Sequence, residues 1–274
     1  MTLTAENFSY VADLVRRRSA ISLAPGKEYL VESRLLPLAR RVGKSVDEYV
    51  VGLRRGVAPT LEVEMIVEAM TTNETSWFRD IQPFEALTQH IVPTLLAERK
   101  FVPSLRIWSA ACSTGQEPYS IAMTLAEEFP QGPRFDITAT DLSNEVLDRA
   151  RSGLFTQLEV NRGLAAKHLV QHFTRRGTQW AISDDLRSRV SFHKHNLMDA
   201  PMPGPFDIVF IRNVLIYFEM PVKQEILRKL RSVVRPGGFL VLGAAETTVG
   251  VDAGWARVPV GRSAVYQLQS GRTT

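Results

Sequence analysis

From Ser104 onward the chain alternates short apolar runs with helical stretches, and that alternation restricts the fold more than any other feature of the sequence. LRIWSAA (Leu105 to Ala111), FDITATD (Phe135 to Asp141), RVSFHKHNL (Arg189 to Leu197) and FDIVFIRN (Phe206 to Asn213) read as four successive strands. Strands joined by helical crossovers predict a parallel sheet with helices on both faces. A helix from Pro221 to Val234, ended by an RPGG turn, leads to a fifth strand, FLVLGAAE (Phe239 to Glu246). WARVPV and SAVYQL, joined by Gly261 and Arg262, read as an antiparallel hairpin on the sheet edge. Between the second and third of these strands the turn signal RRGTQ sits among strand formers, so a small β-hairpin excursion is expected over Phe173 to Ile182.

The segment up to Met70 follows a helical period instead. Thr4 is the expected N-cap of its first helix, with Leu3 and Phe8 as a hydrophobic staple, and Phe8, Val11, Ala12 and Val15 form one apolar face. A second helix is expected from Lys27 to Arg41, kinked or split at Pro37. Lys27, Arg34 and Arg41 recur every seven residues and so fall in one narrow stripe, either a solvated face or a docking surface for an acidic partner. The predicted division is a helical domain over 1–70, a linker and connecting helix over 71–103, and an α/β domain over 104–274 with its β-excursion at about 168–188.

With 274 residues, 45% hydrophobic and 23% charged, the chain has the composition of a globular protein with a substantial core. No run approaches a membrane span, and MTLTAENFSYVADLVRRR lacks the apolar block of a signal peptide, so a cytoplasmic protein without membrane insertion is expected. A single cysteine, Cys112, excludes an internal disulfide and a cysteine zinc cluster. His168 and His172 stand four residues apart, but no third ligand is evident beside them, and no metal is expected. The net charge of +4 permits an acidic partner without requiring one.

In open α/β sheets ligands bind at the carboxyl ends of the strands. Those ends carry CSTGQEP (Cys112 to Pro118), Asp141, Asn196 with Leu197, and Arg212 with Asn213. A Gly-bearing turn followed by an acidic residue closing the next strand suits a nucleoside, whose ribose hydroxyls a carboxylate can accept. The turn is not GxGxxG, and Glu117 opens the following helix, where it would repel a pyrophosphate and attract a cation. A methyltransferase using the sulfonium S-adenosylmethionine therefore fits better than a dinucleotide dehydrogenase.

NETSWFR, CSTGQEPYS, ATDLS, HNL, FDIVFIRNVLIYF and RPGGFLVLGAAE stand in the order found in the chemotaxis receptor methyltransferases, the CheR family, which this sequence resembles over nearly its whole length. The resemblance implies a Rossmann-like class I S-adenosylmethionine-dependent methyltransferase domain, preceded by a small all-α domain and carrying a small β-subdomain. It implies methyl transfer to glutamate side chains on the cytoplasmic helical region of chemoreceptors, with S-adenosylhomocysteine as product. By motif, the family's cofactor contacts fall on Asn73, Thr75, Arg79, Ala111, Glu117, Asp141, Asn196, Leu197, Arg212 and Asn213, and Arg79 and Tyr217 stand near the transferred methyl. Ile211 replaces a frequent cysteine, Trp77 a usual phenylalanine and Phe155 a usual tyrosine. The turn TRRGTQW lacks the glycine-bearing insertion of members that bind a receptor's carboxyl-terminal peptide, so no such tether is expected. Two other readings stay open: an S-adenosylmethionine-binding regulatory module without catalysis, and a nucleic-acid methyltransferase. Against the latter, the chain has neither an NPPY-like motif nor a Pro-Cys nucleophile.

Overall fold

A computed structural model describes residues 3–56, 59–98, 104–200, 202 and 204–269. The chain divides into two compact units, one running up to Thr72 and including Tyr217–Val222, the other comprising Asn73–Ile216 with Lys223 onward.

Four helices build the first unit: α1 (Ala5–Ser19), α2 (Glu28–Arg41), α3 (Val46–Arg55) and α4 (Thr60–Ala69). Thr4 caps α1 through its side chain, which accepts from the Asn7 N–H, and Leu3 and Phe8 are both buried in the same core as the staple requires. Ser45 and Glu48 form a reciprocal capping box at the start of α3. Val11, Val15, Val31, Leu35, Val50 and Ile66 close the core. Pro37 does not split α2, which runs unbroken from Glu28 to Arg41. Val31, Leu35 and Ala39 are fully buried on its inner face, and that burial holds the helix in register past the missing N–H.

The second unit contains the strands β1 (Ser104–Ala110), β2 (Arg134–Asp141), β3 (Leu154–Thr156), β4 (Phe173–Arg176), β5 (Gln179–Ile182), β6 (Val190–Lys194), β7 (Phe206–Ile211), β8 (Val234–Leu242), β9 (Trp255–Val260) and β10 (Ser263–Leu268). Seven of them form one sheet in the order β6-β2-β1-β7-β8-β10-β9, parallel except where β10 meets β8 and β9. β7 is buried at every position, as a central parallel strand must be. Its one charge, Asp207, accepts from the Arg106 N–H at 2.7 Å and from Arg235 Nη1 at 3.1 Å. The expected hairpin is β4–β5, turned by Gly177 and Thr178, and β3 joins β5 to make a separate three-stranded sheet.

RPGG is not a turn that ends the preceding helix. The helix Met220–Val233 passes directly into β8, which begins at Val234, and Arg235 to Gly238 form an irregularity in its pairing with β7. A Cβ on Gly238 would lie 2.8 Å from the Asp207 carbonyl oxygen, so only glycine lets the strands approach there.

Ala110 is level with Thr140 of β2 and with Ile211 of β7. The three strands therefore end together, and the chain order reverses direction at β1, between β2 and β7. That reversal opens a crevice at the sheet's carboxyl edge.

Candidate functional site

The turn leaving β1 is held in conformations that expose its backbone. Ala111, Ser113 and Gly115 have φ of 59°, 51° and 94°, a left-handed run in which two non-glycine residues carry strain. Asp141 holds the middle one, Ser113, while the Gly115 N–H donates to the Cys112 carbonyl at 3.1 Å. Asp141 Oδ2 accepts from the Ser113 N–H at 2.8 Å and its Oδ1 from the Ser143 N–H at 3.1 Å, so a single carboxylate at the end of β2 fastens two strand-end loops. It is 7% exposed. Ser113 Oγ donates to the Asn73 carbonyl at 2.8 Å, which ties the stretch TTNETSWFRD to the same turn. At Gly115 a Cβ would lie 3.0 Å from Ala150 Cβ, so the turn packs closely on the helix Asn144–Ser152.

Arg212 forms a second hub at the end of β7. Its side chain is 2% exposed. Nη1 donates to Glu117 Oε2 at 3.0 Å; Nη2 donates to the Arg79 carbonyl at 2.6 Å and to Asp80 Oδ2 at 3.1 Å. Ser109 Oγ donates to the other Glu117 oxygen at 2.8 Å. Glu117, expected to face a cation, is thus engaged within the protein by Ser109 and Arg212. Arg212 Nε is buried without a hydrogen-bond partner, and the guanidinium lies 5.9 Å over the Phe84 ring.

Glu246 organises the next loop, and sequence reasoning missed it. Its carboxylate accepts from the N–H groups of Asn213, Val214, Leu215 and Gly243 at 2.8, 3.0, 2.7 and 2.7 Å. The bonds stabilise Asn213 at φ 57°. A Cβ on Gly243 would be 2.7 Å from Glu246 Oε2, which explains the glycine in LGAAE. The available signal was a lone acid shortly beyond a strand's carboxyl end, in a segment otherwise apolar or small.

In the linker, Trp77 and Phe78 pack into the second unit. Trp77 is 1% exposed and meets Phe155 and Phe173 edge-on at 4.8 and 5.4 Å, so Phe155, lacking a tyrosine's hydroxyl, is a core contact. Phe78, at φ 46°, stacks on His168 at 4.6 Å and donates its N–H to Ser120 Oγ at 3.1 Å. Arg79 sends Nη1 to the Glu74 carbonyl at 3.1 Å. Asn73 and Thr75 line a cavity of about 270 Å³ together with Thr114 and Gln116, whereas Asp141, Asn196, Arg212 and Asn213 are not among its walls.

Asn196 and Leu197 follow β6 half-buried; Asn196 Oδ1 accepts from the Met198 N–H at 3.0 Å. Tyr217 ends the short 3-10 turn Leu215–Tyr217 and falls with the first unit, where its carbonyl accepts from the Ser22 N–H at 3.1 Å. Lys27 and Arg41 are exposed, but Arg34 is half-buried and donates to the Met70 carbonyl at 2.6 Å and to Thr72 Oγ1 at 3.0 Å. The heptad stripe therefore contains two solvated cations and one structural one.

The sequence profile described as "CheR methyltransferase, SAM binding domain" matches residues 73–260, and "CheR methyltransferase, all-alpha domain" matches residues 6–71. The chain belongs to the CheR methyltransferase family. Among curated relatives of this CheR-family chain, chemotaxis protein methyltransferase Cher2 of Pseudomonas putida is 40% identical, the match covering 96% of this chain and 98% of that protein. Chemotaxis protein methyltransferase 1 of Pseudomonas aeruginosa is also 40% identical, over 98% and 100%. The chemotaxis protein methyltransferase of Escherichia coli is 35% identical, over 90% and 86%. The methyl donor of this CheR-family protein is S-adenosylmethionine, and its fold is a Rossmann-like methyltransferase domain after an all-α domain.

Proposed function

We propose that this chain methylates glutamate side chains in the cytoplasmic helical region of bacterial chemoreceptors, forming γ-glutamyl methyl esters during chemotaxis. The observation that carries the reading is the strand-end constellation around Asp141, in a chain similar over almost its full length to proteins named chemotaxis protein methyltransferases.

Asp141 fits a ribose: it is an acceptor-only carboxylate closing β2, beside a turn whose left-handed residues lay bare the backbone at Ala111. Asn196 and Leu197 after β6, Arg212 and Asn213 after β7, and Asn73, Thr75 and Arg79 from the linker are the further cofactor contacts of this reading. Glu117 is a wall charge neutralised by Arg212. The bound sulfonium supplies an electrophilic methyl group.

A glutamate with a pKa of about 4.3 is already ionised at neutral pH, so the protein has to orient the carboxylate and exclude water without acting as a base. Arg79 is assigned the orienting cation and Tyr217 the neutral donor. Gripping the ground state with a cation alone would oppose attack, so the neutral donor has its own part. Cys112 supplies no nucleophile for a pyrimidine carbon: it is 1% exposed, and burial pushes its thiol well above the usual range, reinforced by the Asp141 and Glu117 charges. This observation disfavours one nucleic-acid alternative. The β4–β5 turn is only two residues, Gly177 and Thr178, and this supports a reading without a receptor-tail tether, in which methylation proceeds equally on receptors lacking that tail. No helix among the described residues is long and apolar enough to cross a membrane, and the proposed substrate places the enzyme in the cytoplasm.

The deciding assay is transfer of labelled methyl to native receptor fragments followed by mild base. Release as methanol is expected from an ester, whereas base-stable label would mean nitrogen methylation and end the proposal. The same assay should give a kcat nearly flat from about pH 6 to 8, because no base titrates in the step. Burial holds the pKa of His195 below the ordinary imidazole value, outweighing Asp199, so its titration shifts toward the acidic side of that window. A basic limb near pH 7 would mean that a proton acceptor takes part.

Receptor docking should be salt-dependent through Lys27 and Arg41. The double reversal Lys27→Glu with Arg41→Glu should raise the receptor KM roughly tenfold at low salt, less at high salt, with S-adenosylhomocysteine affinity unchanged. Arg34→Glu is a poorer probe, since it also removes the bonds to Met70 and Thr72. An unchanged KM in the double variant would return the stripe to a solvated face.

A further inference from the structure

His168 and His172 share one face of the short helix Ala166–His172, their rings nearly parallel and 6.5 Å apart. Both are buried. His168 Nδ1 lies 2.7 Å and His172 Nε2 2.8 Å from the same atom, Glu127 Oε1, at the end of the helix Gln116–Glu128. The third ligand that is not evident in the sequence is thus delivered by an element some forty residues away. The donor atoms of the three side chains lie within 4.8 Å of one another.

We propose that Glu127, His168 and His172 form a binding site for one zinc-type divalent ion, with water completing its coordination. Two imidazoles and one carboxylate are a borderline donor set that suits zinc, cobalt or nickel and does not suit calcium or magnesium, which prefer more oxygens. A tetrahedral centre with ligand bonds of about 2.0–2.2 Å separates its donors by roughly 3.3 Å. The two nitrogen–oxygen distances must open by about half an ångström, and the two ring nitrogens, within 4.8 Å of each other, must close toward that separation by up to about 1.5 Å, shifts that rotations of the three side chains between rotamers have to supply as the ion enters. Each imidazole stays neutral by carrying its proton on the nitrogen facing away from the ion. Glu127 supplies the anionic ligand, its Oε1 standing between the two ring nitrogens at 2.7 and 2.8 Å. Lys167 approaches its second oxygen only at 3.8 Å and is 69% exposed, so it can swing into solvent as the ion enters.

The ion would act as a clasp on the linker. Phe78 stacks on the His168 ring and adjoins Arg79, so fixing that ring restrains the stretch that carries Arg79. The inference does not depend on which acceptor the enzyme methylates.

Chelator-treated full-length protein would be titrated with Zn²⁺ in competition with a chromophoric chelator, and separately with Co²⁺ followed by visible absorption. One Zn²⁺ per chain is expected, with a Co²⁺ spectrum of four-coordinate intensity and a Zn²⁺-dependent rise in melting temperature. Glu127→Gln keeps an acceptor between the two rings but removes the anionic ligand, so it separates metal binding from a purely hydrogen-bonded cluster. It should weaken Zn²⁺ by more than about tenfold, the loss expected even for outer partners of metal ligands, and abolish the Co²⁺ spectrum. His172→Asn should do the same should Glu127→Gln fold poorly, with S-adenosylhomocysteine binding confirming each fold. Equal Zn²⁺ affinity in wild type and both variants, or no stoichiometric site in wild type, would show a hydrogen-bonded cluster and overturn the proposal.

Discussion

Arg212→Ala is expected to lower the unfolding free energy by about 3–5 kcal/mol, the loss typical when one partner of a buried ion pair is removed and the other remains. The guanidinium is 2% exposed and its surviving partner, Glu117, is 13% exposed, so little water can replace the lost donors. The Arg79 carbonyl and Asp80 lose their partner in the same change. Single domains are stable by only about 5–15 kcal/mol, so this one substitution would remove a large share of the margin. Urea unfolding followed by circular dichroism measures it. The double change Arg212→Met with Glu117→Gln should recover part of the loss, because it removes the stranded carboxylate as well as its counterion. A cost below about 1 kcal/mol for Arg212→Ala would mean that water reaches Glu117 through the strand-end crevice, and the hub would then be a solvated ion pair.

What the sequence made legible was the part that periodicity and turn chemistry encode. Apolar runs located the five parallel strands, Gly261 located the edge hairpin, and Gly177 the excursion. The errors have a common origin in tertiary contacts. Pro37 looked like a breaker because the buried ridge of Val31, Leu35 and Ala39 is invisible until α1, α3 and α4 are packed against it. RPGG looked like a turn because glycine supplies both turns and close strand approach, and only the Asp207 carbonyl beneath Gly238 tells them apart. Strand ends gave Asp141 and Arg212 directly, since position along a strand is a local property. Glu246 and Glu127 were illegible because each acts on partners more than thirty residues away in sequence, and Ser109 because its bond to Glu117, eight residues on, forms only once the turn after β1 has folded.

Asp141→Ala is expected to weaken S-adenosylhomocysteine by about 2 kcal/mol or more, roughly thirtyfold, as expected when charge-assisted bonds to both ribose hydroxyls are lost. The geometry adds a second effect that the cofactor reading alone does not contain. Asp141 also holds the N–H groups of Ser113 and Ser143, and alanine would leave both donors buried and unmatched at about 1–3 kcal/mol each. The strained backbone at Ala111 and Ser113 would then be free to relax, and the turn would lose the shape that presents it to a cofactor. Asp141→Asn separates the two effects. Its single oxygen can still accept from one loop, but its amide group must face the other N–H and cannot accept from a hydroxyl. It should therefore recover part of the stability and little of the affinity. Calorimetry with S-adenosylhomocysteine, paired with thermal unfolding at zero and saturating ligand, reads both quantities on each variant. Wild type should gain about 2.7 kcal/mol at a hundredfold excess over Kd, by mass action on the folded state. Lost stability with unchanged affinity would make Asp141 a loop fastener alone, and the ribose would have to be sought at another strand end.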